Sequence, residues 1–144
     1  MNSPNNPSGQ ICKNLEEISE IAKKYNLIIL SDEIYSELSF DEGFKSISSF
    51  CPEKTIISTG LSKWCGAGGW RLGYFVVPDS LNILKNSINV LASETFSAVS
   101  APIQYAAITA YTSDHIEYMD SSINILKAIG NYVYENLKSN KVLI

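Results

Sequence analysis

The stretch that decides the fold is GLSKWCGAGGWRLGY, residues 60–74. It holds five of the eight glycines in the chain, together with the cations Lys63 and Arg71. Glycine permits positive φ angles and a close approach of the backbone to a ligand, and the two cations suit an anionic group. The Walker pattern is absent, and the dinucleotide pattern fails because Arg71 stands where its third glycine is needed. The stretch therefore indicates a loop for an anionic ligand but supports neither class of nucleotide loop.

Apolar runs on both sides of this loop predict the strands of an α/β fold. Thr55–Ser58 leads into the loop, and Leu72–Val77 leads out of it and stops at Pro78. Further upstream, the continuous apolar run Leu27–Leu30 is typical of a strand buried on both faces of a parallel sheet. That strand would deliver Ser31-Asp32-Glu33 at its C-terminal end. We therefore expect an α/β chain with a mostly parallel sheet.

Helical spacing precedes the first strand and dominates after the third. Asn14 is the expected N-cap of a helix that runs to about Tyr25 and packs through Leu15, Ile18, Ile21 and Ala22. Later helices are expected at 80 to about 91, at 101 or 102 to 111, and at 115–138. Val142–Ile144 resembles the start of another buried strand. The last helix carries an apolar stripe that we interpret as core packing: Ile116, Met119, Ile123, Leu126, Ile129, Val133 and Leu137.

Composition narrows the classes of partner and compartment. The formal charge is −4, and no cluster of Lys and Arg provides the positive face that nucleic acid or an anionic membrane requires. No apolar run approaches the roughly 20 residues of a membrane span, and the N-terminus lacks the features of a secretory signal, so we expect a cytoplasmic protein. Cys12, Cys51 and Cys65 have no C-x-x-C spacing, which favours reduced structural thiols over a disulfide framework or a metal site.

Three signatures in series resemble those of the class I/II aminotransferases, the fold-type-I enzymes that use pyridoxal 5′-phosphate (PLP). Each alone occurs by chance, but all three keep the order and spacing of that family across residues 5–74. A looser match at Ser100–Gln104 extends the resemblance over most of the chain. The signatures are Asn5-Asn6-Pro7-Ser8-Gly9, Ser31-Asp32-Glu33-Ile34-Tyr35, and Ser62-Lys63 followed by Gly69-Trp70-Arg71-Leu72-Gly73-Tyr74.

The resemblance implies that Lys63 and Asp32 carry the chemistry. Lys63 would form the Schiff base with PLP and, once displaced by the substrate amine, move the proton between the substrate Cα and the cofactor. Asp32 would pair with the pyridine nitrogen and keep it protonated, because a carboxylate beside that nitrogen raises its pKa. Taken alone, Asp32 would be interpreted as a turn cap and Lys63 as a solvated surface lysine.

Four further residues would complete the PLP site by the same resemblance. Asn6 and Tyr35 would hydrogen-bond the phenolic oxygen. Taken alone, Asn6 would be interpreted as a turn residue and Tyr35 as a half-buried aromatic. Arg71 would bind the phosphate bidentately, with help from the Ser62 hydroxyl. The family commonly has a hydroxyl residue three positions before the lysine, where this chain has Gly60.

Outside these positions, the residues with reactive or aromatic side chains suggest ordinary structural roles. We assign Trp64 and Trp70 to packing. His115, the only histidine of the sequence, is expected at a helix start on the surface or as a cap.

The resemblance also implies that the chain is a central fragment of a longer protein. Residues 1–98 would be the C-terminal part of the PLP-binding large domain, and residues 99–144 a helical segment leading toward a small domain that is missing. Arg71 is the only arginine, so none remains to bind a substrate carboxylate. We expect the complete protein to be a homodimer, and the fragment alone to be inactive and to expose an apolar sheet edge.

The function implied is that of a PLP-dependent aminotransferase, which moves an amino group between an amino acid and a 2-oxo acid. Another PLP reaction of amino acids, such as C–S β-elimination or decarboxylation, remains an alternative because the same cofactor residues serve it. A PLP-binding regulator domain without turnover is the non-enzymatic alternative.

Overall fold

A computed structural model describes residues 1–40 and 43–138, which form a three-stranded sheet with helices around it. The strands are β1 (Ile29–Asp32), β2 (Thr55–Gly60) and β3 (Gly73–Val76), in the spatial order β1-β2-β3. β1 and β2 are parallel, whereas β2 and β3 are antiparallel. The α/β class is confirmed, but the sheet is mixed. The loop between β2 and β3 contains no α-helix that could cross over the sheet, and it brings Gly73 directly opposite Gly60, so β3 runs back along β2 in the opposite direction.

Four α-helices account for most of the remaining chain. They are α1 (Leu15–Lys24), α2 (Asn82–Thr95), α3 (Ala101–Thr112) and α4 (Ile116–Leu137). All four lie where sequence patterning predicts helices, although α2 continues four residues past the expected end. Within residues 1–40 and 43–138, no helix combines the length and apolarity needed to cross a membrane.

The first core cluster packs α1 against β1. It is built from Leu15, Ala22, Ile29, Ile47 and Cys51. Asn14 occupies the N-cap position of α1, as expected, but its side chain makes no capping hydrogen bond. Ile21, expected on the buried face, is half exposed. Burial raises the pKa of the Cys51 thiol, and the neighbouring Glu53 carboxylate adds to the rise, consistent with a structural thiol.

The second core cluster joins the β2–β3 loop to α3 and α4. Its buried members are Leu61, Trp64, Ala67, Leu72, Ala107 and Met119. Three of the four loop members, Leu61, Ala67 and Leu72, are each next to a glycine, so the apolar side chains of the loop pack beneath it while Lys63 and Arg71 stay exposed. This arrangement fixes the loop that carries Lys63 and Arg71.

Two predictions of burial are wrong. Leu30, at the centre of the strand expected to be buried on both faces, is 53% exposed, and burial along β1 alternates instead. In the apolar stripe of α4 only Met119 is buried, because only the first turns of that helix reach the second cluster. The expected strand at Val142–Ile144 lies outside the described residues. An apolar surface is left exposed on β3, at Tyr74, Phe75 and Val76.

Gly60 closes the base of the loop between β2 and β3. It lies opposite Gly73 in the strand register, and the Leu61 N–H donates to the Leu72 carbonyl at 3.2 Å. A Cβ atom at position 60 would lie 2.5 Å from the Leu72 oxygen and 2.8 Å from the Gly73 Cα. Both are backbone atoms that cannot swing aside. The hydroxyl residue that the family commonly has at position 60 would therefore clash with this backbone, which gives the glycine a steric reason in this chain.

We expect Gly60→Ala to lower the free energy of unfolding by about 1–3 kcal/mol, because the added methyl group forces the two strand ends apart. Gly69→Ala is the matched control, since a Cβ there meets nothing within 4 Å. Urea unfolding followed by tryptophan fluorescence compares the two variants. Equal unfolding midpoints for both would show that the close approach at Gly60 does not constrain the loop.

Candidate functional site

Asp32 ends β1 at the C-terminal edge of the parallel strand pair, which is where open α/β sheets bind ligands. Its carboxylate is half-buried. Oδ2 accepts a hydrogen bond from Asn2 Nδ2 at 3.2 Å, and Oδ1 accepts one from the Ile34 N–H at 3.3 Å. Two donors thus hold the carboxylate in place at the strand end.

Asn6, Tyr35 and Lys63 come together from three separate segments. Asn6 Nδ2 donates to the Tyr35 hydroxyl at 3.3 Å. The Lys63 ammonium lies 5.4 Å from the centroid of the Tyr35 ring, within the range of a cation–π contact. Lys63 and Asn6 are exposed, and Tyr35 is half-buried. An amine, an amide and a phenol therefore face solvent in one cluster, which we call the amine cluster.

Arg71 lies at the other end of the glycine-rich loop from Lys63. Its φ angle of 57° places it in the left-handed region, which a non-glycine residue seldom adopts. Arg71 Nη1 donates to the Gly68 carbonyl at 2.9 Å, and the Ser62 carbonyl lies 3.5 Å from the position of a Cβ on Gly68. Gly68 thus lies between Ser62 and Arg71. The guanidinium is exposed and keeps most of its donors for an anion.

The chemistry of these side chains fits PLP group by group. A carboxylate suits a protonated ring nitrogen, and an amine suits an aldehyde. The Asn6 amide and the Tyr35 hydroxyl can donate to a phenolic oxygen. A guanidinium and a serine hydroxyl are both groups that suit a phosphate. Within residues 1–40 and 43–138, no group of three or more His, Cys, Asp or Glu side chains could hold a metal ion.

A cavity of about 630 Å³ adjoins the amine cluster. Asn6 and Tyr35 line it, along with apolar side chains that include Leu38, Phe40 and Leu126. Its volume falls in the range of small-molecule sites. Neither Asp32 nor Lys63 lines the cavity, so we do not assign the ring-nitrogen and aldehyde groups of PLP to it.

An aromatic group packs beneath the loop at Trp64, the residue that follows Lys63. Trp64 is buried, with its ring 5.4 Å from that of Tyr111 and 5.0 Å from that of His115. Burial raises the pKa of Tyr74, whose hydroxyl is also hydrogen-bonded with Tyr111. The packing role expected of Trp64 is confirmed. His115 lies at the start of α4, as expected, but its side chain makes no capping hydrogen bond. Trp70, assigned to packing, is 49% exposed.

Comparison with known proteins agrees with this assembly of groups. The sequence profile of the family described as "Aminotransferase class I and II" matches residues 1–143. The chain belongs to the class I and II aminotransferases. The resemblance seen in the three signatures is therefore confirmed at the level of the family.

Curated and solved relatives of this aminotransferase chain support the same fold. The aspartate aminotransferase of Bacillus sp. (strain YM-2) is 39% identical over 127 residues, which cover 83% of this chain and 32% of that protein. The aspartate aminotransferase of Thermotoga maritima is 33% identical over 96% of this chain and 36% of its own length. A solved alanine aminotransferase from Pyrococcus furiosus superposes with a TM-score of 0.85 at 35% identity, covering 96% of this chain and 36% of its own. The chain thus spans about a third of the length of these relatives.

Sequence reasoning missed two polar residues next to Asp32. Asn2 hydrogen-bonds the Asp32 carboxylate, yet it precedes the first signature and carries no motif of its own. Glu33 is buried, and its Oε1 accepts a hydrogen bond from Ser46 Oγ at 2.7 Å. A carboxylate three positions after the apolar run Leu27–Leu30 is the available signal for Glu33. No sequence pattern identifies Asn2, because its β-bridge to Asp32 is visible only in the fold.

Proposed function

We propose that the full-length protein is a PLP-dependent aminotransferase, which transfers an amino group between an amino acid and a 2-oxo acid. The observation that carries the proposal is the amine cluster, which brings Lys63, Tyr35 and Asn6 together in a chain of the aminotransferase family. Asp32 adds a fixed carboxylate at the neighbouring strand end.

Lys63 would act twice in this reaction. Its Nζ would bind the PLP aldehyde covalently and, after the substrate amine takes its place, would carry the proton between the substrate Cα and the cofactor. Bound PLP supplies the electron sink that accepts the electron pair left when the Cα–H bond breaks. The Lys63 ammonium faces the Tyr35 ring from solvent and makes no ion pair among the described residues, so it is accessible to a ligand.

The remaining side chains would bind and orient the cofactor. The Asp32 carboxylate would pair with the pyridine N–H and hold that proton in place. Asn6 Nδ2 and the Tyr35 hydroxyl would donate to the phenolic oxygen, for which their mutual hydrogen bond already places them side by side. Arg71 and Ser62 would bind the phosphate at the glycine-rich loop.

We also propose the domain division and the assembly implied by the family. Residues 1–98 would belong to the PLP-binding large domain, and the helices from residue 99 would lead toward a small domain. The full-length protein would be a cytoplasmic homodimer without nucleic acid or membrane partners. The exposed apolar side chains of β3 support a larger buried surface in the full-length protein.

Amino acid assays of the full-length protein test the proposed function. The purified protein is loaded with PLP and given aspartate or alanine, the amino acids in the relatives' names, with a 2-oxo acid. Transamination yields one new amino acid for each 2-oxo acid consumed. Release of ammonia or CO₂ in place of that product would favour the elimination or decarboxylation alternative. PLP binding without any product would favour the regulator alternative.

We expect residues 1–144 by themselves not to transaminate, even with saturating PLP. The single arginine is assigned to the phosphate, so no guanidinium remains to orient the substrate carboxylate. Losing orientation can cost roughly 7–11 kcal/mol of barrier reduction in favourable cases. The purified segment is assayed beside the full-length protein. Comparable turnover by a monodisperse preparation of the segment would contradict this expectation.

A further inference from the structure

Asn2 lies beside the end of β1 and contacts two parts of the proposed PLP site. Its Nδ2 donates to Asp32 Oδ2 and to the Asp32 carbonyl, each at 3.2 Å. Its Oδ1 accepts from the Asn6 N–H at 3.0 Å and from Asn5 Nδ2 at 3.2 Å. One side chain thus joins the strand end that carries Asp32 to the loop that carries Asn6.

The four contacts of Asn2 require an amide. Both groups that face Nδ2 are acceptors, a carboxylate oxygen and a carbonyl oxygen, and both groups that face Oδ1 are N–H donors. These partners fix the orientation of the amide without ambiguity. A carboxylate at position 2 would still accept from the Asn6 N–H but would place an acceptor and a like charge against Asp32. An alkyl side chain could make neither hydrogen bond.

The backbone holds this amide in place. Asn2 forms a parallel β-bridge with Asp32, in which the Asp32 N–H donates to the Met1 carbonyl at 2.8 Å. The Ser3 N–H donates to the Asp32 carbonyl at 3.2 Å, and Ser3 is buried. The side chain of Asn2 is itself partly buried. Its side-chain hydrogen bonds are therefore made beside an isolated backbone bridge that fixes Asn2 against the end of β1.

We propose that Asn2 is a positioning residue that sets the Asp32 carboxylate and the Asn6 side chain at a fixed separation. The inference rests on the proposed function, in which these two groups bind two different atoms of one planar cofactor ring, the pyridine nitrogen and the phenolic oxygen. Asn6 extends the link to Tyr35 through its own hydrogen bond at 3.3 Å. Asn2 itself is assigned no contact with PLP and no proton transfer.

Two substitutions in the full-length protein separate the two sides of the amide. Asn2→Asp keeps an acceptor for the Asn6 N–H but loses the donor to Asp32. Asn2→Ala loses both. Asn14→Asp is the matched control, because it makes the same chemical change at a helix N-cap whose side chain makes no capping hydrogen bond. PLP affinity is measured by titration, and exchange of the Asn6 amide hydrogen is measured in the PLP-free proteins.

We expect both Asn2 variants to raise the Kd for PLP about tenfold, and Asn14→Asp to leave it unchanged. Exchange at the Asn6 amide should become about tenfold faster in Asn2→Ala and stay near the wild-type rate in Asn2→Asp. A residue that merely stabilises the fold would not give this split. An unchanged Kd in both Asn2 variants, or equal Asn6 exchange in both, would overturn the proposal.

Different results would reject the proposed function and the positioning role of Asn2. If the wild-type protein binds no PLP, the proposed function fails, whereas the Asn6 exchange rates still decide whether Asn2 holds the loop. If the wild type binds PLP and the variants bind it equally well, the proposed function stands and the role of Asn2 is rejected. Should Asn2→Ala fail to fold, Asn2→Asp alone still tests the Asp32 side through the Kd.

Discussion

Replacing Lys63 with alanine in the full-length protein is expected to abolish measurable transamination. The variant loses the amine that would bind PLP covalently and the group that would move the substrate proton. A positioned general acid–base alone contributes about 10²- to 10⁴-fold to a rate, so kcat should fall by at least that factor. PLP should still bind weakly through Asp32 and Arg71, without the absorbance of a covalent linkage. Steady-state assays and absorbance spectra of the loaded variant provide the measurement.

Lys85→Ala is the control for that experiment. Lys85 is an exposed lysine on α2, outside the proposed site. Its removal should leave kcat and the PLP spectrum unchanged. If Lys63→Ala retained activity within tenfold of this control, another residue would have to supply the amine, and the amine cluster would lose its proposed role.

Replacing Asp32 with alanine is expected to produce the second largest loss. Without the carboxylate, the pyridine nitrogen of bound PLP would have no anionic partner to keep it protonated, and the cofactor would be a weaker electron sink. Removal of one preorganised electrostatic partner costs about 10²- to 10³-fold in kcat in well-studied cases, and we expect at least that loss here. Asp32→Glu keeps the charge and should be far milder.

A comparison of Asp32→Ala with Asp32→Asn separates charge from packing. Asparagine retains the size of the side chain and an acceptor for the Ile34 N–H, so the strand end should stay intact. If the charge is what matters, Asp32→Asn should lose nearly as much activity as Asp32→Ala. Near-normal turnover by either variant would remove the assignment of this carboxylate to the ring nitrogen.

Local pattern was enough to predict the secondary structure, and the resemblance to the aminotransferases predicted that the motifs share one site. The runs at Thr55–Ser58 and Leu72–Val77 became β2 and β3, and three of the signatures' residues, Asn6, Tyr35 and Lys63, lie in contact. Apolar runs and glycine-rich turns specify such elements because their causes lie within a few residues. The roles of these residues in catalysis stay predictions.

Burial was harder to predict than secondary structure. Leu30 and Ile129 have the spacing of core residues, yet each is more than half exposed. Periodicity reports which residues share a face, but what covers that face depends on elements far away in sequence. Asn2 illustrates the same limit for polar contacts, because its distant partner Asp32 becomes a neighbour only through a β-bridge.

Borohydride reduction of the PLP-loaded full-length protein tests most directly whether Lys63 binds the cofactor covalently. Reduction makes the bond between PLP and its lysine permanent, and proteolysis followed by mass spectrometry locates the phosphopyridoxyl group. We predict the label on Lys63, in the glycine-rich loop of residues 60–74. A label on another lysine, or a loaded protein without any label, would contradict the assignment of this loop as the covalent anchor of the cofactor.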